Sequence, residues 1–476
     1  MTNLSGANLN NGAAVGPQGE GRDSPSNFPA YPAYKDSGVE WLGAVPEHWG
    51  VSPLKWLAEQ VTDKATTSEF QVGLENIEGW TGRFIETDTE FAGDGIAFRQ
   101  EDILFGKLRP YLAKVWLADR PGQAVGDFFV LRPRAVNGDF LHKYILTPTV
   151  IEDLNASTIG AKMPRVGWED MAALAVSLPP YKEQTQIARF LDHETARIDA
   201  LIEEQQRLIE LLKEKRQAVI SSAVTKGLDP KVPMKDSGVE WLGEVPAHWD
   251  VVRVKHIKSW RPNAFVDGPF GSNLKSEHFV DDGGVYVIES GFATTGALSF
   301  SDLKQITPKH FETIQRSEVC AGDIVIAKIG ARYGMCSILP WLDKPAVVSG
   351  NSLKLTVNDE ICDSRFAVFV LQHLKERGAI EDIVNMTAQP ALSLGEMNNL
   401  PFPLPSLSEQ LSIVSELEIE LGEFEALTSE CQRVMSLAVE RRSALISAAV
   451  TGKIDVRGWQ PPASSQAHEP AIAEAV

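Results

Sequence analysis

The sequence predicts an α+β protein made by pseudo-twofold duplication: two tandem strand-rich modules and two long helices that pair as an antiparallel coiled coil. Three observations carry this. The run from Lys35, KDSGVEWLGAVPEHW, returns at Lys235 as KDSGVEWLGEVPAHW, displaced by 200 residues and differing only at Ala44/Glu244 and Glu47/Ala247. LPPYKEQTQIARFL from Leu178 returns as LPSLSEQLSIVSEL from Leu404, and the same offset of 226 aligns AVISSAVTKG from Ala218 with ALISAAVTGK from Ala444. Between the repeated flanks lie short β-favouring runs punctuated by Gly, Pro and Asp, such as HWDVVRVKHI at His248 and GDIVIAKIGARYGM at Gly322.

Taken in order, residues 1–34 are rich in Asn, Gly, Ser and Pro without periodicity and are expected to be a disordered tail. Residues 35–178 form the first module, 179–227 a spacer helix, 228–234 a linker, 235–403 the second module and 404–456 a second spacer helix. Residues 457–476 form a further disordered tail. In the first helix Ile187, Leu191, Glu194, Ile198, Leu201, Gln205, Leu208 and Leu212 alternate spacings of 4 and 3. That is a coiled-coil stripe with polar interruptions. The equivalent positions 226 further on are Ile413, Leu417, Glu420, Phe424, Leu427, Cys431, Val434 and Ala438. Proline before each start (Pro179, Pro405) and glycine after each end (Gly227, Gly452) bound the helices. A lone amphipathic rod cannot bury its stripe, so two in one chain are expected to bury theirs together. Parallel pairing would place the modules side by side; antiparallel pairing is favoured by the linker, which leads straight into the second module at the far end of the first helix. The alternative is that each stripe packs on its own module.

Composition narrows the function. The 476 residues are 43% hydrophobic and 23% charged, as in folded globular chains. Neither a signal peptide nor an apolar run of membrane-spanning length is evident, so a cytoplasmic protein with no membrane partner is expected. Cys320, Cys336, Cys362 and Cys431 are too widely spaced for a zinc knuckle or redox pair and read as reduced core residues. A net charge of −19 argues against phosphate backbones as partners. Neither module is basic: 13 cations face 18 anions over Ser52–Leu178, and 16 face 21 over Lys235–Phe402.

Catalytic constellations are not found. SLPPY at Ser177 has the outline of the loop by which amino-methyltransferases hold a flipped base. The polar residue that must directly precede the prolines is replaced by Leu178, however, so helix entry is the better reading. GPFGSNLKS at Gly268 lacks the spacing of a phosphate-binding loop. His48 and His248 stand in identical His-Trp pairs with no second ligand at suitable spacing, which points to shared packing and to no metal. What remains are two equivalent frames with divergent interiors. Lys107, Arg109, Tyr111 and Lys114 in the first, and Lys328, Arg332 and Tyr333 in the second, place basic and aromatic side chains beside strands. Such side chains suit phosphate contact and base readout.

The doubled order of a DSGVEWLGxVPxHW opening, a variable module, an LPPxxEQ helix entry and a long helix ending in RQAVISSAVTKG resembles the specificity subunit of Type I restriction-modification systems. The resemblance spans about Lys35 to Val456. VGLENIEGWTG at Val72, DILFGKLRPYLAKV at Asp102 and GPFGSNLKSEHF at Gly268 also resemble segments of that family's target-recognition domains. The resemblance implies a non-catalytic subunit in which each target-recognition domain reads one half of a bipartite, asymmetric site in double-stranded DNA. It adds Ser272, Asn273 and Lys275 to the expected contacts. The paired helices would space the half-sites and dock two methylation subunits. S-adenosylmethionine, and the ATP and magnesium of two motor-nuclease subunits where restriction is added, would be bound by those partners and not by this chain. The alternative is a coiled-coil adaptor whose modules bind protein without DNA.

Overall fold

The computed structural model describes residues 28–65, 70–89, 91, 93, 95–158, 160, 162–381 and 391–461. The chain divides into two compact units, one of residues 1–206 with 432–476 and one of residues 207–431.

The two units repeat one topology. In the first, Tyr34–Asp36 pairs with Ala44–Pro46, and Gly50–Pro53 with Ala175–Leu178, the latter in the register Gly50↔Leu178. In the second, Met234–Asp236 pairs with Glu244–Pro246, and Asp250–Arg253 with Pro401–Leu404 in the register Asp250↔Leu404. Each module then builds an antiparallel four-stranded sheet. Its order is Ala58–Val61, Phe128–Pro133, Ile103–Gly106, Val115–Leu117 in the first module and Phe265–Asp267, Ser352–Leu355, Ile324–Ala327, Cys336–Ile338 in the second. The inner strands Ile103–Gly106 and Ile324–Ala327 are buried at every position, as continuous apolar runs require. A second, mixed sheet flanks each: Gln71–Val72, Gly122–Ala124 and Ile96–Phe98 in one, and Gln305–Ile306, Val285–Ile288, Ala346–Val348 and Glu318–Val319 in the other. The interiors that barely align in sequence therefore share a frame.

The long helices run Tyr181–Lys226 and Leu407–Val450. In the first unit, Ile187, Phe190 and Leu191 at the start of one share a core with Leu445, Ile446, Ala449 and Val450 at the end of the other, and with Phe140, Tyr144 and Met171 of the module. In the second unit, Leu212, Ile220 and Val224 meet Ile413, Leu417, Leu421 and Phe424, again with module residues such as Phe366 and Phe402. Start against end is antiparallel pairing. The coiled-coil expectation needs correction in its detail, because a wider face is buried than a two-stranded seam. Phe190 between Ile187 and Leu191 packs against Phe28 and Trp459, while Leu201, Leu208 and Leu427 are exposed and Val434 is half-buried. Ile198 and Leu212 are buried as expected.

Both helices stop at glycine. Gly227 and Gly452 have φ of +73° and +75°, a left-handed conformation costly for residues with a Cβ. At Gly452 an added Cβ would lie 2.3 Å from Pro46 Cδ.

The tails are shorter than expected. Phe28 packs edge-on against Phe190, and Tyr31 is buried in the first core. At the other end Trp459 also meets Phe190, and its carbonyl accepts from Gln186 Nε2 at 2.6 Å. Aromatic anchors inside otherwise polar stretches pin residues 28–34 and 457–459. Residues 1–27 and 462–476 lie outside the described residues. Of the cysteines, Cys320 is exposed and the other three are buried, with burial pushing the Cys336 thiol up to about 12. No helix among the described residues is long and apolar enough to cross a membrane.

Candidate nucleic-acid interface

The repeated motifs do structural work. Glu183, the Glu of the first EQ pair, is buried and accepts hydrogen bonds from Trp49 Nε1 at 3.0 Å and Tyr31 OH at 2.6 Å. His48 Nε2 lies 2.8 Å from its other oxygen. Burial and this carboxylate push the Tyr31 phenol well above its ordinary range. In the second unit Glu409 accepts from Trp249 Nε1 at 2.9 Å and lies 3.0 Å from His248 Nε2. The adjacent glutamines match as well. Gln184 Oε1 accepts from Asn137 N–H at 2.7 Å and Gln410 Oε1 from Asp363 N–H at 2.9 Å, and both donor residues lie at the head of a module helix. Ser177 donates to the Val450 carbonyl at 2.7 Å, which places SLPPY at a strand end and helix entry. Among the described residues no cluster of three potential metal ligands occurs.

With the frame accounted for, the variable loops remain. Asp102 and Asp323, 221 residues apart, are buried ahead of the inner strands. Asp102 accepts from Arg132 at 2.7 and 2.9 Å, and Asp323 accepts from the Cys320 N–H at 2.8 Å with Lys354 Nζ at 3.8 Å. Each strand then delivers a lysine to the same backbone position. Lys107 N–H donates to Asp127 O and its carbonyl accepts from Val166, whereas Lys328 N–H donates to Asn351 O and its carbonyl accepts from Leu392.

The side chains differ in availability. Lys107 is half-buried, 3.9 Å from Asp127 and over the Phe129 ring. Lys328 is half-buried, 3.3 Å from Asp267 and over Phe270. Lys114 is spent on a 2.7 Å bond to the Leu74 carbonyl. Tyr333 is not a surface residue: it lies in the second core, with Lys375 Nζ 3.7 Å from its ring centroid, because the loop turns its aromatic ring inward. Arg109, Tyr111 and Arg332 are exposed, as are Ser272, Asn273 and Lys275. The Asn273 carbonyl lies 2.9 Å from His310 Nε2. Sequence reasoning missed Arg165 and Arg316, which pair with Asp127 and Asp267 beside the two lysines at 2.7 and 3.3 Å. Each comes from a distant segment, so only the fold brings it there. The missed Phe270 is exposed in the GPFGSNLKS run itself.

In each module, then, the lysine that follows an inner strand shares a carboxylate from another segment with a distant arginine, beside exposed polar and aromatic loop residues. This is the equipment of a DNA-reading domain. The sequence profile of the Type I restriction modification DNA specificity domain matches residues 79–212 and 271–425, well over half of the chain. The chain belongs to this family, and is a non-catalytic specificity subunit carrying two DNA-recognition domains. It is 25% identical over 315 residues to the Type I restriction enzyme MjaVIII specificity subunit of Methanocaldococcus jannaschii, covering 64% of this chain and 68% of that one. It is 21% identical over 384 residues to the EcoBI specificity subunit of Escherichia coli, covering 79% and 78%. In fold it resembles the HsdS subunit from Thermoanaerobacter tengcongensis, with a TM-score of 0.52, 16% identity, and 86% and 98% of the two chains covered. A chain solved in work on complex assembly and conformational transition of the type I R-M system gives a TM-score of 0.69 at 16% identity, covering 85% and 98%.

Proposed function

We propose that each module reads one half of a bipartite, asymmetric DNA site, that the long helices set the gap between the halves, and that their exposed faces dock two methylation subunits. The observation that carries this is duplication with unequal loops: one frame occurs twice, clasped in the same way, while the loops after Lys107 and Lys328 differ. Exposed Arg109, Tyr111, Arg332, Ser272, Asn273 and Lys275 are the proposed contacts, with Lys107 and Lys328 ordering the loops beside them and reaching phosphate. Exposed Leu201, Leu208 and Leu427 suit apolar contact with a protein partner. Chemistry belongs to the partners: S-adenosylmethionine on the methylation subunits, and ATP with magnesium on two motor-nuclease subunits where restriction is added.

Exchanging residues 52–176 for the equivalent module of another family member is expected to alter one half of the methylated sequence, read by mapping methylated adenines in cells carrying the subunit and its partner. A change in both halves, or in neither, would sink the modular reading. A coiled-coil adaptor without DNA binding predicts no methylation pattern that follows the module.

A further inference from the structure

Three of the five non-glycine residues with positive φ among the described residues gather in one place in the first module: Trp80 at 68°, Arg109 at 51° and Ala113 at 47°. Their backbones are joined. Trp80 N–H donates to Ala113 O at 3.0 Å, Leu112 N–H to Arg109 O at 2.9 Å, and Arg109 N–H to Pro164 O at 2.8 Å. Neighbouring Gly79 lies so close that an added Cβ would be 2.3 Å from Leu112 O. Left-handed backbone at residues with a Cβ is unfavourable and persists where surrounding structure enforces it, commonly at binding sites.

The side chains displayed by these joined loops are apolar and exposed. Trp80, Tyr111, Leu112 and Met163 are 42%, 45%, 39% and 58% exposed. The Trp80 corner is braced from behind: Arg442 donates to Trp80 O at 3.1 Å and to Thr81 O at 3.3 Å, and its Nε lies 3.3 Å from Asp199. Cations rim the loops in Lys107, Arg109 and Arg165. Of the carboxylates there, Asp127 is shared by Lys107 and Arg165, and Glu78 accepts from Thr81 Oγ1 at 2.6 Å.

A rigid apolar edge rimmed by cations matches the chemistry of a base step, an apolar stack bordered by phosphates. We propose that Tyr111 and Leu112, carried beside Trp80, form a wedge that enters a base step of double-stranded DNA while Arg109 and Arg165 hold the flanking phosphates. The first module thereby selects its half-site partly by how readily that step unstacks. This rests on the DNA-reading function proposed above.

The test uses the full chain assembled with its methylation subunits and a duplex carrying the mapped methylated sequence, with 2-aminopurine at successive positions of the first half-site. Binding is expected to raise fluorescence several-fold at one step. Tyr111→Ala and Leu112→Ala, both at exposed positions, should each abolish the rise and weaken specific binding about ten-fold, leaving binding to a scrambled duplex unchanged. An undiminished rise and affinity in both variants would overturn the wedge. So would loss of assembly with the methylation subunits on size-exclusion chromatography, which would make the patch a protein dock. If the unaltered complex fails to distinguish the mapped duplex from the scrambled one, the DNA-reading function itself falls, and the wedge with it.

Discussion

Glu183 and Glu409 show how a single side chain ties a module to its helix. Glu183 serves Trp49 and His48 of the module opening and Tyr31 just ahead of it, and is buried. Glu409 serves Trp249 and His248, and is 27% exposed. A buried donor left without its acceptor costs about 1–3 kcal/mol. Glu183→Ala is therefore expected to destabilise the first unit by about 3 kcal/mol and Glu409→Ala the second by roughly half that, measured as shifts in denaturant midpoint. Equal losses, or a larger one at Glu409, would show that these bonds do not govern the clasp. The histidine pairs could be assigned to packing from sequence because they recur in identical surroundings. The reverse held for Tyr333. It follows a lysine and an arginine in a run that reads as a loop, and nothing local reveals that Lys375, from a helix 42 residues on, covers its ring.

The pairing of the long helices is read correctly in direction, and less correctly in what each buries. Heptad spacing records where apolar side chains lie on a helix; it does not say which neighbour covers them. Ile187 and Leu191, or Ile413 and Leu417, satisfy the heptad, yet the module supplies much of their cover, while Leu201, Leu208 and Leu427 satisfy it equally and are exposed. The two alternatives posed by the sequence are thus combined, helix against helix and helix against module in one core. Deletion of seven residues within 205–215 keeps the apolar register and is expected to shorten the gap between methylated half-sites by one to a few base pairs. Mapping methylated adenines in the variant would detect this. Full methylation at the original spacing would exclude the helices as a spacer.

For the whole molecule, the net charge of −19 retains its force. Each module carries a deficit of cations, and the lysines best placed to meet phosphate already face Asp127 and Asp267. The chain alone is expected to bind duplex DNA weakly and with a shallow salt dependence. Addition of methylation subunits should tighten binding and steepen the slope of log K against log salt, as partners add phosphate contacts. Titrations at two or more salt concentrations, with and without the partner, would test this; tight, steeply salt-dependent binding by the chain alone would contradict it.

The completion of the first core by Leu445, Ile446, Ala449 and Val450 has a consequence for biosynthesis. Residues 207–431 are an uninterrupted stretch, so the second unit holds all its parts before the ribosome reaches the final helix turns. The first unit, although begun earlier, lacks the acceptor for Ser177 until residue 450 has emerged, and the Trp459 ring against Phe190 until later still. The usual order of domain maturation is inverted: the unit begun first must wait, with apolar surface open, for its own last segment, which is made after the whole of the second unit.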